Sequence, residues 1–278
     1  MAESTTPKKP RSDRRAWTRL ARTITTRLRV PNAQVSAAGC LTGLREGACL
    51  ESFGAWLSYE QAADLFEVVA TADAADGIDL DHDLRTLDTH AQVGAQIGMR
   101  RAITAGAGDT LLTEALALRH RLPKTALCLR DGLLTPAQVT IVIQLTDLIE
   151  DPTILADVDA QIADLLRGSN SGCWDTPTVR NLVNGRVFEL DPDSVRKARK
   201  RATDERCTWV SNGVHGMMNI GGSMTAENAH LAHAAVQALA RTVCRHDTRT
   251  KKARASDAMY SLLAGEQFTC LCGRGTNC

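Results

Sequence analysis

The sequence is poor in aromatic residues and has no long hydrophobic run. Phe, Trp and Tyr make up 4% of its 278 residues, so its core must consist mainly of aliphatic side chains. No apolar stretch approaches the roughly 18 residues of a membrane-spanning helix, which excludes an integral membrane protein. The N-terminal stretch also lacks the continuous apolar segment of a secretory signal. We therefore expect a cytoplasmic protein that has no membrane partner.

The chain also has almost no net charge. Its 33 Lys and Arg residues against 32 Asp and Glu residues give +1, which excludes a uniformly basic coat for nucleic acid. The charges are instead divided into zones: residues 1–29 are basic, 59–99 are acidic, and 193–206 and 241–254 are basic again.

The two C-terminal basic zones are candidates for contacts with nucleic acid, because phosphate binding needs clustered Lys and Arg. A solvated helix face is the competing explanation for such a cluster. No aromatic residues alternate with the charges, so we expect duplex DNA rather than stacked single-stranded bases. The candidate residues are Arg196, Lys197, Arg199, Lys200, Arg201, Arg249, Lys251, Lys252 and Arg254.

Motifs of enzyme chemistry are missing. The sequence has no phosphate loop, no dinucleotide fingerprint and no Ser-His-Asp elbow, so we assign no catalytic residue and no small-molecule substrate. Asp81-His82-Asp83 and the pair His230 and His233 contain metal-binding residue types. We interpret both as solvated faces, because each offers too few ligands at suitable spacing.

Three of the nine cysteines are close together at the end of the chain. Cys270, Cys272 and Cys278 could bind Zn²⁺, but structural zinc takes four ligands. Cys244, His246, a partner chain or residues beyond Cys278 could supply the fourth. A cluster of free thiols and a redox site are the alternatives, and the other six cysteines are scattered singly, which excludes a disulfide scaffold.

The spacing of apolar residues predicts a mainly α-helical fold. Ser58 with Gln61 and Thr135 with Gln138 have the pattern of capping boxes, and five prolines each begin a periodic segment. In the helix that follows Pro152, we place Asp157, Asp159 and Asp164 on the outer face. Gly94 and Gly98 weaken the helical pattern over 84–104.

One segment has a β pattern. Residues at about 206–220 predict a hairpin with a tight turn at Asn212-Gly213, and two strands alone are marginal, so the hairpin should pack against the helices. We divide the chain into a basic, poorly structured tail (1–57), a helical domain (58–265) and a Cys-rich end (266–278) that resembles an incomplete zinc knuckle.

Several segments together resemble one protein family. They are ALRHRLPKTALCLRDGLLTPAQV (117–139), TDLIEDPTILADVDAQIADLL (146–166), LDPDSVRKARKRATDERCTWV (190–210), GVHGMMNIGGSM (213–224), RTKKARASDAMYSLLAG (249–265) and CLCG (270–273). From about Met99 to Cys272, the chain resembles the mycobacterial 13E12 repeat family, also called domain-of-unknown-function family 222. The resemblance implies a helix-rich domain upstream of an HNH endonuclease domain, in proteins often encoded by repeated or mobile DNA.

The catalytic His-Asn-His set of that family lies in the HNH domain, and no such set follows here. The resemblance therefore implies a non-catalytic, DNA-associated module, inactive by itself, in a chain that we expect to be a truncated copy. A helical module for protein interaction or self-association is the alternative, since the acidic zone 59–99 complements the basic C-terminal zones.

Overall fold

The computed structural model describes residues 21–25, 36–75, 83–168, 174–275 and 278. The fold is mainly α-helical with one antiparallel hairpin, as the sequence predicts. The chain divides into two compact units, Met1–Val195 and Arg196–Cys278. Among the described helices, none combines the length and apolar character that crossing a bilayer requires.

After a short helical segment at 21–25, the longer elements follow in chain order. The first unit contains α1 (Ala37–Ala75), α2 (Asp83–Arg101), α3 (Ala105–His120), α4 (Pro123–Arg130), α5 (Pro136–Thr146), α6 (Pro152–Gly168) and α7 (Thr176–Leu190). Helix α8 (Pro192–Asp204) begins in the first unit and ends in the second, which continues with β1 (Thr208–Asn212), β2 (Met218–Gly222), α9 (Ala226–Ala240) and α10 (Lys251–Ala264).

The hydrophobic core lies in the first unit. Leu112 and Leu118 of α3, Val142 of α5 and Ile162 of α6 are fully or almost fully buried in it. Aliphatic side chains dominate this core, and Tyr59 is the one aromatic residue among the buried members described. The scarcity of aromatic residues in the composition is thus reflected directly in the packing.

Most of the helix starts predicted from capping residues and prolines are confirmed. Thr135 begins α5 with both hydrogen bonds of a capping box to Gln138, and Pro123, Pro136, Pro152 and Pro192 each begin a helix. The predicted box at Ser58 is wrong. Ser58 lies inside α1, where its hydroxyl donates to the carbonyl of Gly54 at 2.8 Å. Because α1 already supplies the backbone partners there, no cap is needed.

Helix α1 starts well inside the stretch 1–57, for which the sequence predicts little structure. The described residues 37–57 are helical, whereas 1–20 and 26–35 lie outside the described residues. Gly43, Gly47 and Gly54 each cost an isolated helix about 1 kcal/mol relative to Ala. Packing offsets this cost, because the second half of the helix buries Tyr59 and Ala63 in the core.

Glycines also explain the weak pattern over 84–104, of which residues 84–101 lie in the regular helix α2. A Cβ atom on Gly108 of α3 would lie 2.0 Å from the carbonyl oxygen of Gly94 in α2. The two helices therefore cross with their backbones in close contact, which a side chain at either position would prevent. Close packing between helices, rather than a break in the helix, accounts for Gly94.

Asp159 is not on the outer face of α6, unlike the exposed Asp157 and Asp164. It is buried, and its carboxylate accepts the backbone N–H groups of Lys124 and Thr125 at 2.8 and 2.9 Å, at the start of α4. Helix α4 has no cap from its own N-cap residue, Leu122. A residue from a different helix therefore caps it.

The hairpin is more exposed than the sequence predicts. Strand β1 is exposed at every residue, and β2 at Met218, Asn219 and Ile220, so packing against the helices is not found for the described strands. The strands are joined by the loop 213–217, not by a tight turn at Asn212-Gly213, because the residues with positive φ are His215 and Gly216. The Trp209 ring lies on the backbone of Gly221, where a Cβ would be 2.5 Å from it.

Candidate metal centre

Four cysteine sulfur atoms meet in the second unit. The Sγ atoms of Cys244, Cys270, Cys272 and Cys278 all lie within 4.8 Å of one another. The first three residues are half-buried and Cys278 is exposed. Four thiolates arranged around one point form a typical ligand set for structural zinc. These cysteines could therefore hold a metal ion.

Two segments bring the sulfur atoms together. Cys244 follows the C-terminus of α9, in a turn where the N–H of Asp247 donates to the carbonyl of Cys244 at 3.1 Å. Cys270 and Cys272 follow α10, which ends at Gly265 in the left-handed conformation with φ 69°. The Sγ atoms of Cys244 and Cys270 are 3.5 Å apart. The centre thus joins the turn after α9 to the loop after α10.

A buried ion pair links the same two segments. The side chain of Asp247 is 0% exposed, and its carboxylate accepts the backbone N–H of Leu271 at 3.0 Å and Nη2 of Arg249 at 2.8 Å. Leu271 is the residue between Cys270 and Cys272. Hydrogen bonds from Arg249 hold the pKa of Asp247 well below its usual range, and the bond to Leu271 lowers it further.

The Cys278 thiol is strongly affected by its neighbours. Hydrogen bonding to Cys272, and then to Cys270 and Cys244, raises the pKa of Cys278 to about 12. The Cys278 thiol therefore keeps its proton near neutral pH when no cation is bound. A divalent ion at the centre reverses this preference, because a coordinated thiol is deprotonated outright. The chemistry of the donor set thus fits a bound divalent metal.

The three predicted ligands are brought together, and the fourth candidate that joins them is Cys244. His246 is exposed and accepts a hydrogen bond from Arg245, outside the sulfur cluster. His230 and His233 are exposed residues of α9 and are not part of the cluster either. Residues 81 and 82 of the Asp-His-Asp motif lie outside the described residues.

The basic candidates fall into two structural groups. Arg249 and Arg254 belong to the ion-pair network around Asp247, with the Nε of Arg254 donating to the carbonyl of Arg249 at 3.0 Å. Arg249 is only 13% exposed, which leaves its guanidinium little access to a phosphate. The other candidates are exposed, on α8 (Arg196, Lys197, Arg199, Lys200, Arg201) and at the start of α10 (Lys251, Lys252). On α8, Arg201 pairs with Glu205 at 2.8 Å.

Comparison with known proteins gives the family. Residues 60–277 match the family described as "Domain of unknown function (DUF222)", which covers most of the chain and the whole cysteine centre except Cys278. The chain belongs to the DUF222 family. This agrees with the resemblance in the sequence segments, and no solved structure matches the chain.

Relatives of this DUF222 chain occur in Mycobacterium tuberculosis. The uncharacterized protein Rv2100 of strain ATCC 25618 / H37Rv is 27% identical over 185 residues, which is 65% of this chain and 32% of Rv2100. The uncharacterized protein Rv3776 of the same strain is 29% identical over 156 residues, 55% of this chain and 30% of that protein. The chain therefore spans about a third of the length of these relatives.

Proposed function

We propose that this DUF222 chain associates with duplex DNA through its second unit, which a zinc ion stabilises. The observation that carries the proposal is the division of charge between the two units. Residues 196–278 contain 13 Lys and Arg against 6 Asp and Glu, whereas residues 1–195 contain 20 against 26. A nearly neutral chain thus has one strongly basic unit, which suits phosphate contacts.

The exposed C-terminal half of α8 supplies the contact surface in this proposal. Arg196, Arg199 and Lys200 lie on one stripe of that helix, at spacings of three and four residues. Arg249 and Arg254 are not part of the proposed surface, because the guanidinium of Arg249 is paired with Asp247 and that of Arg254 donates to the carbonyl of Arg249. Lys251 and Lys252 remain candidates at the exposed start of α10.

Zinc is the ion that fits the centre best. Zn²⁺ takes four thiolates in tetrahedral geometry, and a site with four protein ligands has no open position for a substrate. The ion would therefore have a structural role. It would hold the basic segment 241–254 in one conformation, because Cys244 lies at one end of that segment and α10 begins within it.

Binding to labelled duplex DNA, measured by fluorescence anisotropy across a range of salt concentrations, tests this function. Arg199→Gln with Lys200→Gln should weaken binding equally for all DNA sequences and reduce the slope of log K against log salt by about 2. Arg100→Gln with Arg180→Gln, two exposed arginines of the first unit, is the matched control. No binding, or an equal loss in both double variants, would contradict the proposal.

Within a longer protein of the 13E12 type, we propose that this part is a non-catalytic module. The 13E12 resemblance links such modules with HNH endonucleases encoded by repeated or mobile DNA. The chain matches about a third of each long relative, so a nuclease activity would belong to other parts of such proteins. Plasmid cleavage by this chain alone, with Mg²⁺ or Zn²⁺ added, would contradict a non-catalytic role.

Self-association is a second candidate function, which the exposed hairpin favours. Residues 207–226 contain no Asp, Glu, Lys, Arg or Pro, although these residues normally protect exposed strand edges from pairing with another chain. Val210 and Ile220 are directly opposite each other on one face, 62% and 57% exposed. We propose a second copy of the chain as the partner that would cover this face.

A further inference from the structure

We infer that Asp247 and Arg249 are positioning residues of the metal centre, which hold its cysteines in binding geometry before an ion arrives. The inference rests on the proposed metal centre. Asp247 and Arg249 are not ligands themselves, but they would determine how tightly the four cysteines bind the ion. Both are unusual in this unit, where most charged side chains are exposed, because the side chain of Asp247 is 0% exposed and that of Arg249 is 13% exposed.

Asp247 connects the two halves of the ligand set directly. Its backbone N–H donates to the carbonyl of Cys244, and its Oδ2 accepts the N–H of Leu271 at 3.0 Å. One residue therefore fixes both the backbone at Cys244 and the peptide unit that joins Cys270 to Leu271. If this carboxylate were lost, the two segments would keep their sulfur atoms but lose the bond that sets the distance between them.

Arg249 holds the carboxylate and the second loop in place. Its Nε and Nη2 donate to the two oxygens of Asp247 at 3.0 and 2.8 Å, a bidentate pair. Nη2 also donates to the carbonyl of Thr269 at 2.7 Å, next to Cys270. The guanidinium lies over the Phe268 ring, with Cζ 4.7 Å from its centroid. A lysine could not reproduce this set of contacts, because it has one ammonium group instead of a planar fork.

The remaining contacts of the guanidinium extend the network into α10. Its Nη1 donates to Oδ2 of Asp257 at 2.9 Å, and Thr248 adds a hydroxyl bond to the carbonyl of Leu271 at 3.3 Å. The loop with the two cysteines is thus bonded to protein groups at residues 269 and 271. Preorganisation of this kind raises metal affinity, because less ordering remains to be done when the ion binds.

Competition between the full-length chain and a chromophoric zinc chelator tests the inference. Asp247→Asn keeps the size of the side chain but weakens the pair with Arg249, and we expect zinc affinity to fall about ten- to hundredfold. Arg249→Lys should also weaken it, and Arg249→Gln should weaken it more. Glu227→Gln, which removes an exposed charge from the same unit, should stay close to the wild-type affinity.

A second readout separates positioning from ligation. With cobalt(II) as the probe, saturated Asp247→Asn should give the thiolate charge-transfer and d–d bands of the wild-type chain, because all four sulfur ligands remain. Only the cobalt concentration at half saturation should increase. If Asp247→Asn binds zinc with wild-type affinity, the inference is wrong but the metal centre still stands. If Asp247→Asn does not fold, wild-type affinity in Arg249→Gln would have the same meaning. Failure of the wild-type chain to bind either ion would overturn both.

Discussion

The Sγ atoms of Cys244 and Cys270 lie 3.5 Å apart, although the two residues are 26 positions apart in the sequence. Neither residue is in a regular element, and each follows the C-terminus of a helix. Their contact closes a loop of residues 245–269, which contains α10 and the segment 245–250. A metal ion at this point would therefore act as a cross-link between two irregular segments, where the polypeptide has few buried apolar contacts of its own.

Chelation of the metal should expose four further thiols. In the zinc-loaded chain we expect a maleimide to label the exposed Cys40 and Cys207 rapidly and the four centre cysteines slowly. Cys128 should stay unlabelled with or without metal, because it is buried and burial raises its pKa to about 11. Mass spectrometry after timed labelling gives the count, and Cys128 is the internal control. An unchanged count after chelation would contradict a metal bound to these cysteines.

Metal affinity should fall as the pH decreases. The pKa of the Cys278 thiol is raised to about 12, so the metal-free chain keeps this proton throughout the neutral range and must release it when the ion binds. Each displaced proton makes the apparent affinity about tenfold weaker for every pH unit of acidification. Competition titrations between about pH 6.5 and 8.5 should therefore show at least this slope. Cys278→Ser should have a smaller slope, and a flat profile for the wild-type chain would contradict the prediction.

A methyl group at Gly108 should destabilise the first unit strongly. In Gly108→Ala the new Cβ would lie 2.0 Å from the carbonyl oxygen of Gly94, so α2 and α3 would have to move apart, at a cost of about 3 kcal/mol or more. Gly106→Ala on the same helix has no atom within 4 Å of the new Cβ and should stabilise the protein by up to about 1 kcal/mol. Urea unfolding of both variants measures the difference. Similar unfolding midpoints would show that the helices do not cross this closely.

Charges on one face of the hairpin should abolish self-association. Val210→Lys with Ile220→Glu places opposite charges on a directly opposed pair, so the hairpin itself keeps a favourable cross-strand contact. We expect this variant to be a monomer in sedimentation velocity experiments and the wild-type chain to be a dimer. Ser211→Lys with Asn219→Glu makes the same change on the other face and should leave the dimer intact. A monomeric wild-type chain would rule out this second function.

Much of the helical framework is predictable from the sequence, for a simple reason. A cap such as Thr135 with Gln138 acts across three residues, and proline at the start of a helix acts on its own backbone. All the residues that produce such a signal are neighbours in the sequence, so the signal can be recognised without the tertiary structure. Ser58 has the pattern of a cap, but it lies inside helix α1, which continues on both sides of it, so the short-range pattern there predicts the wrong helix start.

Tertiary contacts could not be predicted from the sequence. Asp159 has the pattern of an exposed residue on α6, and only the position of α4 makes it a buried cap. Arg249 has the pattern of a phosphate ligand, and only the tertiary structure shows that its guanidinium is paired with the buried carboxylate of Asp247, beside the cysteine cluster. In both cases a carboxylate, that of Asp159 or of Asp247, is buried because specific hydrogen-bond donors compensate for its loss of hydration.

The sequence by itself determined the helical class, the hairpin, the family and three of the four clustered cysteines. Each of these follows from spacing within a short segment or from segment similarity. Tertiary structure alone decided that the fourth member is Cys244 and not the other named candidate in the chain, His246, because the two residues are close in sequence and only the fold shows which side chain lies beside Cys270. It also decided which arginines face solvent, because burial depends on what packs against a residue and not on the residue itself.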